Sequence, residues 1–187
     1  LCQHGVPNYF GPQRFGPEGR NLQRAEALLN RGWRKRDDRQ GMMLSTARSF
    51  LFNELLSARI ADGTWSQPLA GDTLMLDGTQ SVFRIDASDH TLQARAVELD
   101  VHPTGVLWGV GEAGQGDAAG YEARLLEHYP GLCSGLQRSG VKQARRALRM
   151  RLLEPQYARE PGAARLSFSL PRGSFATAVL GELMLAN

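Results

Sequence analysis

The sequence predicts an α+β fold of mixed helices and antiparallel strands, and three stretches carry that prediction. Leu44 to Asp62 repeats apolar residues at helical spacing, with Leu44, Ala47, Leu51 and Leu55 beside Phe52, Leu56 and Ile60 in one broad stripe. DTLML and SVFRI flank LDGTQ, whose Asp77-Gly78 step marks a hairpin turn. Leu166, Phe168 and Leu170 alternate with Arg165, Ser167 and Ser169, the period of a half-buried strand that Pro171 ends.

From the N-terminus, GVPNYFGPQRFG fits neither period. Pro7 and Pro12 fix φ, while Gly5, Gly11 and Gly16 permit positive φ, so the stretch reads as a shaped loop presenting Tyr9, Phe10, Phe15 and Arg14. Asn21 to Asn30 reads as a short helix. RGWRKRDDRQ after it reads equally as a solvated loop or as a cationic patch. The long helix follows, with Arg48, Asn53 and Arg59 placed on its flanks and Gly63 as its C-terminal glycine. After the hairpin, LDVHPTGVLWGVGEAGQG shows no periodicity, and its HPTG and LWG pieces read as a second shaped loop. Asp117 to Tyr129 reads as a helix broken at Pro130-Gly131, with a shorter helical piece to Gly140. Val141 to Leu153 leans towards a strand over its second half. Arg138, Lys142, Arg145, Arg146, Arg149 and Arg151 form a cationic run with no intervening acid, Arg149 and Arg151 on one strand face. Ser174 is the expected N-cap of a final helix from Phe175 to Leu185, which puts Phe175 at the mouth of any pocket there.

Composition narrows the functional classes. The 187 residues are 42% hydrophobic, enough for a globular core, and no apolar run reaches the roughly 18 residues of a membrane span. Cys2 and Cys133 point to a reducing compartment, the cytoplasm, rather than a disulfide scaffold. His4, His90, His102 and His128 form no metal-ligand cluster, so neither metal nor cofactor is expected. Net charge is only +3, from 22 Lys+Arg against 19 Asp+Glu, so distribution decides what the charge means. No Ser/His/Asp set or phosphate loop supports a small-molecule hydrolase. The start on LCQHGVPNYF, without Met, suggests that sequence lies upstream.

Four motifs carry a resemblance: PNYFGPQRFG (Pro7 to Gly16), SxARSxLFN (Ser45 to Asn53), HPTGxLWG (His102 to Gly109) and LPxGSFATxVL (Leu170 to Leu180). In that order the chain resembles the TruD-type tRNA pseudouridine synthases over nearly its whole length. The resemblance implies a TRUD insertion over residues 1–153 and a return to the catalytic domain over 154–187. It implies conversion of a tRNA uridine, at position thirteen in bacterial enzymes, to pseudouridine without metal or cofactor. The nucleophilic aspartate it implies would lie upstream, so the chain alone is expected to be inactive. Asp37, Asp38, Asp72 and Asp77 do not fit that role.

The resemblance also places Phe175, with Ser174 and Gly173, at the uracil pocket. Base stacking on such a ring contributes about 1–3 kcal/mol. Expected RNA contacts are Arg14, Asn8, Gln13, Arg34, Arg36, Lys142, Arg145 and Arg149. Tyr9, Phe10 and Phe15 are expected to pack as apolar anchors. The implied partners are tRNA and the N-terminal half of the catalytic domain, in a monomer with no membrane contact. One departure is Gly181, where relatives carry arginine before the helix glutamate; a mid-helix glycine costs about 1 kcal/mol relative to alanine. The competing reading is a non-catalytic module that grips structured RNA.

Overall fold

The computed structural model describes residues 4–87 and 89–185; the Cys2 reading lies outside them. The elements, in order, are β1 (Val6–Pro7), α1 (Arg20–Asn30), α2 (Met42–Ala61), β2 (Thr73–Leu76), β3 (Val82–Arg84), α3 (His90–Val97), β4 (Val101–Leu107), α4 (Ala119–His128), α5 (Pro130–Arg138), β5 (Ala144–Ala147), β6 (Arg149–Met150), β7 (Leu153–Glu160), β8 (Ala163–Ser169) and α6 (Ala176–Leu185). Three short 3-10 turns, Pro12–Arg14, Pro17–Gly19 and Lys35–Asp37, shape the loops around α1. The class is α+β, as the patterns predict, with every named strand pairing antiparallel.

Four strands form the central sheet in the order β3-β2-β4-β5, and β1-β6 and β7-β8 form separate pairs. The main core lies between this sheet and the helices, centred on Leu51, Phe52, Leu56, Val106, Leu136 and Leu148. Leu74, Ile85, Ala96 and Val101 make a second core. Val6, Met150 and Val179 make a third, which seats α6 against the β1-β6 pair.

One expectation fails in this region, and one element was missed. HPTG is not a loop but part of β4, an inner strand of the sheet. All but the last residue of β4 are buried, so no inside-outside alternation exists for a period-two reading to detect. Its Gly105 stands where an added Cβ would lie 2.9 Å from the Phe52 ring, so the glycine admits the helix. At Gly109 a Cβ would lie 2.3 Å from the Val141 carbonyl oxygen. Helix α3 was not expected either, although Asp89 caps it by accepting from the Leu92 amide at 2.8 Å.

Long helix α2 ends as expected, with Gly63 at φ 69° after Asp62. Its Arg59, expected on a flank, is 1% exposed instead. The guanidinium meets both Asp72 carboxylate oxygens at 3.0 Å and the Thr64 and Gln67 carbonyls, and these bonds make its burial tolerable.

The β7-β8 hairpin stands out from the body, every residue exposed except half-buried Phe168. Between it and α6 runs an apolar groove of about 290 Å3, lined by Leu152, Tyr157, Leu166, Phe168, Val179 and Leu183. Helix α6 starts at Ala176, one residue later than expected. No helix among the described residues is long and apolar enough to cross a membrane.

Candidate nucleic-acid interface

The loop after β1 and the turn before α6 meet, although they lie at opposite ends of the chain. Asn8 begins the junction. It is 6% exposed; its amide donates to the Leu148 carbonyl at 2.8 Å and its Nδ2 to the Ala147 carbonyl at 2.9 Å. Asn8 is thereby hung on the strand end that carries Arg146. Arg146 donates back to the Asn8 carbonyl at 3.1 Å and to Asn8 Oδ1, and reaches the Gly173 carbonyl at 3.1 Å. Ser174 Oγ lies 3.5 Å from Asn8 Oδ1, and Thr177 Oγ1 lies 3.5 Å from Gln13 Oε1. Gly11 allows this approach, since a Cβ there would sit 2.4 Å from Thr177 Oγ1.

Phe10 is the centre of the cluster. Asn53 on α2 accepts from its amide at 2.9 Å and donates to its carbonyl at 3.0 Å, fixing the backbone from both sides. The ring packs edge-on against Phe52 at 5.6 Å and against Phe175 at 5.7 Å. The Arg146 guanidinium lies 4.1 Å from the Phe10 centroid and that of Arg14 lies 5.5 Å away. The packing reading holds for the core side of the loop: Tyr9 and Phe10 both lie against the main core. Phe10 also faces Phe175, a pairing the sequence reading missed.

The electrostatics favour an anionic or carbonyl-bearing guest. Burial, and then the nearby Arg14 charge, lower the Arg146 pKa to about 10, still cationic at neutral pH. Its hydrogen bonds go to neutral oxygens, so its charge is not neutralised. Arg14 gives one Nη1 bond to Ser45 Oγ at 3.2 Å, while its buried Nε has no partner. Next to Asn8 and Ser174 opens a cleft of about 490 Å3, walled by Arg145, Arg149, Arg151 and Arg172 and by the turn Gly78–Gln80.

The other candidate residues fall in different settings. Arg145 lies in the cleft wall with Nη1 on Glu122 at 2.6 Å. Arg149 departs from the expected open cationic face: it is 3% exposed and points inward. Its Nε donates to His102 Nδ1 at 3.0 Å, and its Nη2 donates to the Ala96 and Val101 carbonyls. Three acceptors inside the fold draw in a side chain that strand alternation alone would turn outward. Lys142 is exposed, beside the β4-β5 edge, where its carbonyl accepts from Arg48. Arg34 and Arg36 are exposed on the loop between α1 and α2. The sequence reading assigned no specific role to Arg146 and Asn53. Arg146 is masked by the uniform cationic run around it, and Asn53 by the apolar helix that carries it.

The aspartates weighed from sequence have structural partners. Asp38, expected in a charged loop, is 6% exposed and accepts from the Met43 and Leu44 amides at 3.2 Å and from Trp33 Nε1 at 3.2 Å. Asp72 holds Arg59. Asp77 accepts from His102 Nε2 at 2.8 Å and lies 3.3 Å from Arg151.

The architecture has a known counterpart. It superposes with TM-score 0.69 on a solved crystal structure of a proposed tRNA pseudouridine synthase D (TruD) from Methanosarcina mazei, covering 96% of this chain and 61% of that one at 21% identity. That likeness defines the fold. The family model described as "tRNA pseudouridine synthase D (TruD)" matches residues 36–183, and the chain belongs to this family. Over 98% of its length it is 52% identical to the tRNA pseudouridine synthase D of Chromohalobacter salexigens and 43% identical to that of Psychrobacter arcticus, covering 53% and 51% of those proteins. The chain thus spans about half the length of the curated relatives it matches.

Proposed function

We propose that this chain forms the RNA-gripping body and one wall of the base pocket of a tRNA pseudouridine synthase. The reaction converts uridine, at position thirteen of tRNA, to pseudouridine. The observation that carries the reading is the cluster in which Phe175 meets Phe10, and Arg146, lying on the Phe10 ring, bonds both Asn8 and Gly173. An extruded uracil needs an aromatic surface, and unstacking it costs a few kcal/mol that such a surface helps offset. Arg146 supplies donors for the uracil carbonyls or the flanking phosphates, and the Arg14 guanidinium adds positive charge beside it.

The family resemblance puts the nucleophilic carboxylate on an aspartate upstream of PNYFGPQRFG, and Asp38, Asp72 and Asp77 are occupied by capping and ion pairs. That upstream aspartate would attack the nucleoside and form a covalent adduct, and the C1′–N1 bond breaks. The uracil turns within the pocket, C5 bonds C1′ as the carboxylate is released, and C5 loses a proton while N1 gains one. Residues 1–153 form the insertion and 154–187 the return to the catalytic domain. Arg14, Gln13, Lys142, Arg145 and Arg172 line the RNA path, and Arg149 supports it from inside.

Release of tritium from tRNA carrying C5-labelled uridine tests the proposal. It is measured with this chain alone and after mixing with the N-terminal half of a relative. Release only in the mixture supports the reading. Tight tRNA binding without release in either case supports a non-catalytic RNA-binding module instead.

A further inference from the structure

A second basic cavity lies outside the base-pocket cluster. It is an open hollow of about 540 Å3 between α1 and the start of α2, with Arg24 from α1, Arg31 at the C-cap of α1, Arg39 from the connecting loop, and Leu28, Met42 and Met43 among the residues lining it. All three arginines are exposed, and among the described residues none has a carboxylate at ion-pair distance. The two acids of the hollow do not neutralise them. Asp38 is occupied by the α2 amides and Trp33, and Asp37 lies 3.9 Å from Arg36. Beside the hollow, Arg34, Lys35 and Arg36 continue the exposed positive charge along the loop.

We propose that this hollow is a second grip on the RNA, holding phosphates of a segment away from the reacting base. The inference rests on the tRNA reading above and adds a separate contact to it. Arg24 and Arg31 stand two helical turns apart, about 10 Å along the axis. Charges spread over that distance suit a polyanion with repeating phosphates rather than one small anion. Guanidinium forks pair with phosphate and carboxylate oxygens alike, so the tRNA reading above is what selects phosphates as the ligand. The two grips lie along one path: Ser45, which accepts from Arg14, is three residues along α2 from Met42, about 4.5 Å along the axis.

The test uses the full-length protein that carries this chain, unmodified tRNA, and a combined Arg24→Ala, Arg31→Ala, Arg39→Ala variant. Affinity is measured across a salt series, beside the single-turnover rate at saturating tRNA. The variant is expected to bind about tenfold more weakly at low salt, with the log–log salt slope shallower by about two to three, and to keep the saturated rate. The corresponding triple lysine variant is expected to retain most of the slope. Unaltered affinity and slope in the alanine variant overturn the inference. Unaltered tRNA binding with loss of poly-glutamate binding overturns it too, and reassigns the hollow to an acidic protein partner. A parent protein that does not bind tRNA at all overturns the base-pocket reading and this one together. Parent binding with an unchanged variant removes only the second grip.

Discussion

Asn53 clamps Phe10 by both sides of its backbone, accepting from the amide at 2.9 Å and donating to the carbonyl at 3.0 Å. The aromatic ring facing Phe175 therefore owes its position to a side chain on another element. Replacing Asn53 by Asp keeps the acceptor but sets a carboxylate oxygen against the Phe10 carbonyl. In the full-length protein, Asn53→Asp is expected to lower kcat by roughly 10- to 100-fold, the equivalent of about 1–3 kcal/mol. KM for tRNA should change little, because most of the RNA contacts are elsewhere. A loss confined to KM would show that the clamp serves binding, not placement of the ring.

Arg146 offers a sharper contrast. Its flat fork reaches Asn8 and Gly173 together while lying on Phe10, which an ammonium group cannot reproduce. Arg146→Lys is expected to cut kcat/KM at least tenfold although the charge is retained. Wild-type kinetics in this variant would mean that charge alone is required.

His102 links the fold to pH. Its Nδ1 accepts from Arg149, so the ring proton sits on Nε2 and is donated to Asp77. Burial, the largest influence, holds the imidazole pKa below its usual 6.5. The unfolded chain then binds a proton that the folded chain refuses, and stability falls as pH drops below about 6.5 towards the folded value. Denaturation midpoints measured from pH 7.5 to 5 should decline across that window. His102→Gln should flatten the decline, and an unchanged slope would assign it to other groups.

Gly105 tests the reading of HPTG as packing. Gly105→Ala drives a methyl group into Phe52 and Leu148, at 2.9 and 3.0 Å. The expected cost is about 1–3 kcal/mol, a Tm lower by several degrees. An unchanged Tm would show that α2 can shift away from the sheet without loss.

The β7-β8 hairpin has few contacts with the body and exposes an apolar groove beside α6. Its amides are expected to exchange faster than those of β2 and β4 in the isolated chain, and to slow when the N-terminal half of a relative is added. Equal exchange in both samples would count against a partner on that groove.

Much of this was legible in the sequence, and the exceptions share a cause. The stripes of α1 and α2 appear where one face is wet and the other dry, and the Asp77-Gly78 hairpin shows through its turn chemistry. Strand β8 forms where the alternation put it, but Leu166, expected to be buried, is exposed because the hairpin stands off the body. Strand β4 lacks that contrast because it is buried throughout, and α3 is too short to show a stripe. Asn8, Gln13 and Arg14 could be named with Gly173, Ser174 and Phe175 because both motifs are unusual in composition. That they touch was not legible, since 164 positions separate Gln13 from Thr177. Nor could charge spacing reveal which arginines are used inside. Arg59 and Arg149 look like surface cations until Asp72, His102 and the loop carbonyls are folded around them.

The pairing of Val6 with Met150 and of Pro7 with Arg149 brings the chain back beside its own point of departure. Everything between them hangs from a doorway two strands wide. A host fold in which two neighbouring positions can be joined by one short turn could receive such a body, exchange it or enlarge it without repacking its own interior. On the proposed insertion reading, the size of this body is expected to vary among relatives, while the threshold, where Asn8 and Arg146 meet, is expected to keep its geometry.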